Sequence, residues 1–201
     1  MLAIDSSGSI SNDRLDLEIN GYARAIGSDE FLRTVRAGRY RRVALTFVGW
    51  SNWDHQELMV PWSVIDGDGA ADAFVITLLA APRPTAGFTS ISGAIDFSAD
   101  LLRRSGLDAF RRVIDISGDG RNNDGRPVTD ARDAALAAGI TINGLPFLGV
   151  EPDLDTYYRA NVIGGHSAFA LPARDIGSFT EAVMRKLLTE VAMGTTIARP
   201  V

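Results

Sequence analysis

The stretch Leu2-Ala3-Ile4-Asp5-Ser6-Ser7-Gly8-Ser9-Ile10 joins a short apolar run to a polar loop. An apolar run that stops at such a cluster is typical of a buried parallel strand that ends in a loop. Asp5, Ser7 and Ser9 occupy alternate positions, so a tight loop can direct one carboxylate and two hydroxyls at one point. These are hard oxygen donors, the ligand type that suits Mg²⁺, Mn²⁺ or Ca²⁺.

The pattern Asp5-x-Ser7-x-Ser9 resembles that of the von Willebrand factor A domain, and the resemblance implies that a threonine and an aspartate from two later loops complete a metal site. Gly87-Phe88-Thr89-Ser90 presents Thr89 before a predicted helix, and Val113-Ile114-Asp115-Ile116-Ser117-Gly118-Asp119-Gly120 presents Asp119 just after a predicted strand. Each residue also has an ordinary explanation, because Asp5, Ser9 and Thr89 are suitable helix caps and Asp119-Gly120 is a suitable turn. Three such segments, each at a strand-to-helix junction, favour one shared metal site.

The pattern Asp5-x-Ser7-x-Ser9, followed along the chain by Thr89 and then Asp119, resembles the metal-ion-dependent adhesion site of the von Willebrand factor A domain. The resemblance implies that these five residues hold the metal. It implies Mg²⁺ as the ion, with Mn²⁺ or Ca²⁺ as alternatives. It also implies a short antiparallel strand at one edge of the sheet.

Other segments resemble one bacterial branch of this superfamily, a domain family of undefined function. They are Val60-Pro61-Trp62, Arg112 to Gly120, Ala138 to Leu145, Tyr157 to Gly165, and Phe179 with Lys186-Leu187. The resemblance spans nearly the whole chain, so we expect a single von Willebrand A-like domain over residues 1–201. It implies a periplasmic or secreted bacterial protein, because relatives usually carry an export signal. Met1 stands only four residues before Asp5, so we expect a native N-terminal extension or signal peptide upstream of it.

Strands and helices alternate along the chain. Beyond the first strand, the predicted strands are Arg42–Trp50, an edge strand Gln56–Val60 closed by Pro61, Arg112–Ser117, Ile140–Phe147 and Ala168–Leu171. The predicted helices are Asn12–Ile26, Glu30–Ala37, Asp68–Ala81 stopped by Pro82 and Pro84, Ile91–Arg104, Val128–Ala138, Leu154–Ala160 and Asp175–Ala192. This order predicts an α/β fold of three layers, a Rossmann-like doubly wound sheet that is mostly parallel. Ligands of such sheets bind at the carboxyl ends of the strands, where the candidate ligands lie.

Composition excludes several classes of protein. The chain has 201 residues, of which 46% are hydrophobic, enough for one well-packed core. Its net charge is −5 and its arginines are scattered, so no basic stripe predicts nucleic-acid binding. Without cysteine there is no structural thiolate zinc site, disulfide framework or thiol nucleophile. No apolar run reaches the ~20 residues that span a bilayer.

Two features have alternative interpretations. Asp115 lies inside a predicted strand, where a carboxylate needs a hydrogen-bonding or charged partner. It either supports the residues of the metal loop or makes a purely structural hydrogen bond, and the structural role is favoured. Trp50, Trp53 and Trp62 surround the predicted hairpin. They form either a binding patch or the packing of the edge strand against a helix, and packing is favoured.

The predicted function is a divalent-cation-dependent, adhesion-type protein-binding module, in which an acidic side chain of a partner protein replaces a water on the ion. The alternative is an enzyme, a metal-assisted or serine hydrolase. A serine hydrolase needs a base, but His55 is predicted near the edge hairpin and His166 at the opposite end of the sheet. Ser7 also lacks the G-x-S-x-G elbow, so we expect no enzyme. A metal-free scaffold domain is a third possibility.

Overall fold

The structure, a computed structural model, describes residues 1–83 and 87–193. Its strands are β1 (Leu2–Asp5), β2 (Val43–Trp50), β3 (Gln56–Ile65), β4 (Arg112–Gly118) and β5 (Ile140–Pro146). Its helices are α1 (Asn12–Ile26), α2 (Asp29–Ala37), α3 (Asp68–Ala80), α4 (Ile91–Arg104), α5 (Val128–Ala137), α6 (Leu154–Tyr157) and α7 (Ile176–Met193). The predicted helix stop at Pro84 lies outside the described residues.

The five strands form one sheet in the order β3-β2-β1-β4-β5. All neighbouring pairs are parallel except β2 and β3, which are antiparallel. Because β1 is in the centre, its side chains are buried on both faces, as the apolar run predicts. The predicted sheet, mostly parallel with one antiparallel edge strand, is confirmed.

Two hydrophobic cores lie on opposite faces of this sheet. Leu2 and Ile4 point into the core formed with α1, α2, α3 and α7, whereas Ala3 belongs to the core formed with α4, α5 and α6. This alternation follows from the two-residue period of a strand. The result is the predicted three-layer, doubly wound architecture. No helix in the described ranges is long and apolar enough to cross a membrane.

The edge strand β3 is longer than predicted. It was expected to end at Pro61, but it continues to Ile65. The register with β2 shifts on both sides of Phe47, and the Thr46 hydroxyl donates to the Val60 carbonyl at 2.6 Å. Proline is tolerated at such an irregularity on an edge strand, because no neighbour needs its missing N–H.

The predicted last strand, Ala168–Leu171, is wrong. Two isolated parallel bridges, Ala170 with Gly144 and Ala173 with Phe147, join this segment to the end of β5. Backbone hydrogen bonds flank both bridges, but Pro146 has no N–H to donate between them, so no continuous strand forms. The side chain of Asn143 also accepts the Phe169 N–H at 3.1 Å. The predicted helix Leu154–Ala160 is also modified, because α6 ends at Tyr157 and continues as a π-helical turn, Tyr158–Val162.

Candidate functional site

The first and third loops meet at one edge of the sheet because their strands are neighbours. β1 ends at Asp5 and β4 at Gly118, and the register places Ile4 opposite Ser117. Asp5 and Asp119 therefore emerge side by side. The Ser7 N–H donates to Asp5 Oδ1 at 2.8 Å, which turns the chain sharply after β1.

A continuous chain of hydrogen bonds joins the predicted ligands of all three loops. Thr89 Oγ1 donates to Ser7 Oγ at 3.3 Å, Ser7 Oγ and Ser9 Oγ are 3.2 Å apart, and Ser9 Oγ donates to Asp119 Oδ1 at 3.0 Å. Asp5, Ser7, Thr89 and Asp119 are buried, whereas Ser9 is exposed. The cluster therefore opens to solvent on the side of Ser9.

The spacing of these oxygens suits a small divalent cation. Mg²⁺ holds its ligands at ~2.0–2.1 Å in an octahedron, which places adjacent oxygens about 2.9 Å apart. Ca²⁺, at ~2.3–2.6 Å, would spread octahedral neighbours to about 3.3–3.7 Å. The observed separations of 3.0, 3.2 and 3.3 Å lie between the two. The donor set therefore needs little rearrangement to hold a divalent cation of either size.

Two asparagine side chains of the loop after β4 hold the threonine loop and the start of α4 in place. Asn123 Oδ1 accepts the Thr89 N–H at 2.8 Å, and the Asn123 N–H donates back to the Thr89 carbonyl at 2.9 Å. Asn122 Oδ1 accepts the Ser92 N–H, also at 2.8 Å. Such side chains commonly satisfy neighbouring backbone groups. The sequence analysis did not single out these two asparagines.

Two residues of α1 that the sequence analysis did not single out complete the surroundings of Asp119. The Arg14 guanidinium donates to Asp119 Oδ2 at 2.7 Å and to Glu18 Oε1 at 2.9 Å. It also stacks on the Phe147 ring, 3.9 Å from its centroid. Glu18 is only 1% exposed. Arg14 thereby fixes the carboxylate of Asp119 with one oxygen directed at Ser9.

The charges in this region do not balance. Asp5, Glu18 and Asp119 are three buried carboxylates, and Arg14 is the one cation that pairs with them in the described part of the chain. When all are ionised, two negative charges are left over. Two of these carboxyls have raised pKa values, mainly because they are buried and to a smaller extent because they repel one another. Burial raises the pKa of Asp5 to about 7, which the hydrogen bonds of Ser7 only partly oppose. Burial likewise raises the pKa of Glu18 to about 7 despite its pairing with Arg14.

One carboxylate oxygen of the cluster is left without a partner. Asp5 Oδ2 is buried and accepts no hydrogen bond from the described residues, and the buried hydroxyl of Tyr158 is also unpaired there. Both lie beside Gly118, where an added Cβ would come within 2.9 Å of Asp5 Oδ2 and 3.0 Å of the Tyr158 hydroxyl. A bound cation offers a partner to a carboxylate of this kind, so the residues present fit a divalent ion.

Other candidate residues lie elsewhere. Asp115 pairs with Lys186, whose side chain also contacts Glu190 at 3.1 Å, which supports the structural role. No hydrogen bond among the described residues joins the imidazole of His55 or His166 to the hydroxyl cluster. No group of three His, Cys, Asp or Glu side chains suited to a metal occurs in residues 1–83 and 87–193, so hydroxyls are essential to the predicted site.

The tryptophans separate into two environments. Trp50 is fully buried and Trp62 packs against the same core, as predicted. Trp53 is different, because 62% of it is exposed. Its backbone N–H donates to Asp124 Oδ2 at 2.8 Å. Phe88, next to Thr89, is 64% exposed. The packing interpretation is therefore wrong for Trp53, and two exposed aromatic rings lie on the loops that border the site.

Comparison with known proteins agrees with this architecture. The family described as "Protein of unknown function (DUF1194)" matches residues 1–195. No curated protein matches the sequence. Among solved structures, proximal thread matrix protein 1 from the mussel byssus is similar with a TM-score of 0.66 and 14% identity over 94% of this chain. One structure of that protein has a zinc-occupied MIDAS motif.

Two bacterial structures are also similar. The pilus adhesin SpaC from Lactobacillus rhamnosus GG has a TM-score of 0.63 and 11% identity over 96% of this chain. An aerotolerance-related membrane protein from Bacteroides fragilis has a TM-score of 0.55 and 16% identity over 94% of this chain and 98% of its own. The chain spans only 46% of the mussel protein and 30% of SpaC. At these identities the similarity establishes the fold, which is that of the von Willebrand factor A domain.

Proposed function

We propose that this chain, which belongs to the DUF1194 family of proteins of unknown function, is a divalent-cation-dependent protein-binding module of the adhesion type. The observation that carries the proposal is the cluster of five oxygen-bearing side chains from three loops, in which Asp5 Oδ2 is buried and accepts no hydrogen bond from the described residues. Asp5, Ser7, Ser9, Thr89 and Asp119 would hold the ion, with Mg²⁺ the first choice. The bound ion would supply an electrophilic site for an anionic group.

The partner in this proposal is a protein that offers an Asp or Glu side chain. Hydroxyls provide three of the five ligands, so the ion retains attraction for another anion. Ser9 is exposed, which leaves a route for that carboxylate. Trp53 and Phe88 offer apolar contact beside the site. The adhesive or extracellular context named for the mussel and pilus proteins supports a periplasmic or secreted location here.

Binding is proposed rather than hydrolysis. The group that hydrogen-bonds Ser9 is Asp119, and Arg14 holds its other oxygen. A carboxylate in that position is poised to ligate a cation and is poorly placed to take up a proton as a base. No hydrogen bond in the described part of the chain joins the imidazole of His55 or His166 to Ser7 or Ser9, so neither serine has a histidine base beside it.

Calorimetric titration with MnCl₂ and MgCl₂ tests the metal site. Wild-type protein and Asp54→Ala, a change in an exposed turn, should bind one ion, whereas Asp119→Ala should show no saturable binding. The proposal fails if Asp119→Ala binds the ion as wild type does.

Water-proton relaxation of the Mn²⁺-loaded protein tests whether the ion has a coordination position that a partner's carboxylate can take from water. Acetyl-glutamate amide should displace the bound water and lower the relaxivity, whereas acetyl-glutamine amide should not. If the two compounds lower the relaxivity equally, the proposal of an acidic partner is wrong.

A further inference from the structure

A second cavity lies at the end of the sheet opposite to the hydroxyl cluster. It has a volume of about 820 Å³ and is bounded by the first residues of β1, β2 and β4, the loop 105–111 and the last turns of α7. Ligand pockets in proteins commonly have volumes of ~300–1,000 Å³. The cavity is therefore large enough for a small organic molecule, and the proposed cation site does not use it.

The walls of this cavity carry more positive than negative charge. Arg39, Arg42, Arg111 and Arg112 line it, against two acids, Asp108 and Glu190. The two acids are unequal, because Glu190 is already engaged. It accepts hydrogen bonds from Asn143 at 2.6 Å and from Lys186 at 3.1 Å. The cavity therefore favours an anionic occupant.

Arg111 is the arginine of this wall whose guanidinium lacks hydrogen-bond acceptors among the described residues. Both terminal nitrogens of its guanidinium are buried, and neither finds a hydrogen-bond acceptor within the described ranges. Glu190, which lines the cavity together with Arg111, pairs instead with Lys186, which is itself buried. A buried guanidinium without an anion is costly. Arg111 gains an acceptor by turning toward an anion in the cavity.

The remaining walls are largely apolar. Phe31 and Val35 come from α2, Leu102 from α4, Leu187 and Val191 from α7, and Trp62 from β3. Two exposed aromatic rings, Tyr40 and Phe110, also line it, with centroids 6.5 Å apart. These surfaces suit a hydrocarbon or aromatic body, which would be removed from water on binding.

We propose that this cavity binds an organic anion that combines a carboxylate with an apolar body, and that Arg111 receives the carboxylate. Arginine suits this role because its planar fork of donors matches the two oxygens of a carboxylate. The proposal is independent of the cation site, since the two lie at opposite ends of the strands.

Calorimetry with sodium octanoate tests the proposal on the full chain. Octanoate should bind with a stoichiometry of one, and both octanol, which lacks the charge, and acetate, which lacks the body, should bind at least about tenfold more weakly. Arg111→Ala should weaken octanoate binding about tenfold to a hundredfold, as expected for the loss of charge-assisted hydrogen bonds. Arg103→Ala, a change at an exposed arginine paired with Asp100, should leave it unchanged.

A stability measurement separates this role from a purely structural one. If Arg111 lacks an anion in the free protein, Arg111→Met should melt at the same temperature as wild type or higher, and octanoate should raise the melting temperature of wild type only. The proposal is overturned if octanol binds as tightly as octanoate, if Arg111→Ala binds octanoate as wild type does, or if Arg111→Met melts lower.

Discussion

Replacing Asp5 by asparagine should stabilise the metal-free protein while removing its response to metal. Asp5 is completely buried, and its Oδ2 accepts no hydrogen bond from the described residues. Asparagine has the same shape and can keep the acceptor for the Ser7 N–H, which Asp5 Oδ1 now accepts at 2.8 Å. The substitution therefore removes a buried charge without opening a cavity.

The size of the effect follows from this environment. A buried polar group without a partner costs ~1–3 kcal/mol, and a charged one costs more. The asparagine amide still loses its water, so we expect a net gain of about 1–3 kcal/mol at pH 8. For a chain of this size, each kcal/mol corresponds to a rise of roughly 2–4 °C in melting temperature.

Thermal melts with EDTA and with MnCl₂ measure both halves of this prediction. In EDTA, Asp5→Asn should melt at a higher temperature than wild type. Asp54→Asn, the same change in an exposed turn, should melt at the wild-type temperature. Mn²⁺ at 100 times its dissociation constant should stabilise wild type by ~2.7 kcal/mol and leave Asp5→Asn unchanged. The reasoning is refuted if Asp5→Asn melts below wild type in EDTA, because Oδ2 would then have a partner.

Three further predictions concern the site and its surroundings. Burial raises the pKa of Glu18 from 4.5 to about 7. Between these two pH values the folded metal-free protein keeps a proton that the unfolded chain has released. The free energy of unfolding should therefore fall with rising pH, by up to ~3 kcal/mol. Urea unfolding of Glu18→Gln should show a smaller fall, and an unchanged fall would contradict this cause. Gly118→Ala places a Cβ 2.9 Å from Asp5 Oδ2 and should cost ~1–3 kcal/mol, whereas Gly120→Ala, with its nearest neighbour at 3.7 Å, should cost little in the same unfolding assay. Thr89→Val should weaken Mn²⁺ binding in calorimetry at least about tenfold and Thr89→Ser should largely preserve it; equal losses would argue against a hydroxyl ligand.

Local sequence signals were sufficient for most of the fold. The bounds of α1 and α4 agree with the prediction because each begins after a serine whose side chain accepts a backbone N–H of the first turn. Two strand predictions failed because tertiary contacts decide them. Pro61 is accommodated by a register irregularity, and the segment near Ala170 makes only isolated bridges with the end of β5, where Pro146 has no N–H to donate.

The candidate site divides in the same way. The residue types at positions 5, 7, 9, 89 and 119 indicate oxygen ligands, and β1 and β4 bring them together as parallel neighbours. Arg14 and Glu18 were missed because an arginine and a glutamate four residues apart look like an ordinary surface pair on a helix. Only the packing of α1 shows that the pair is buried against Asp119, 105 residues away in sequence.

The most direct test of the central claim is a crystal of this protein soaked in MnCl₂ and measured for anomalous scattering. The account predicts one strong peak bounded by the side chains of Ser7, Ser9 and Asp119, with Thr89 and Asp5 next to it. A peak elsewhere, or none at this cluster while the loops keep the arrangement described here, would contradict it.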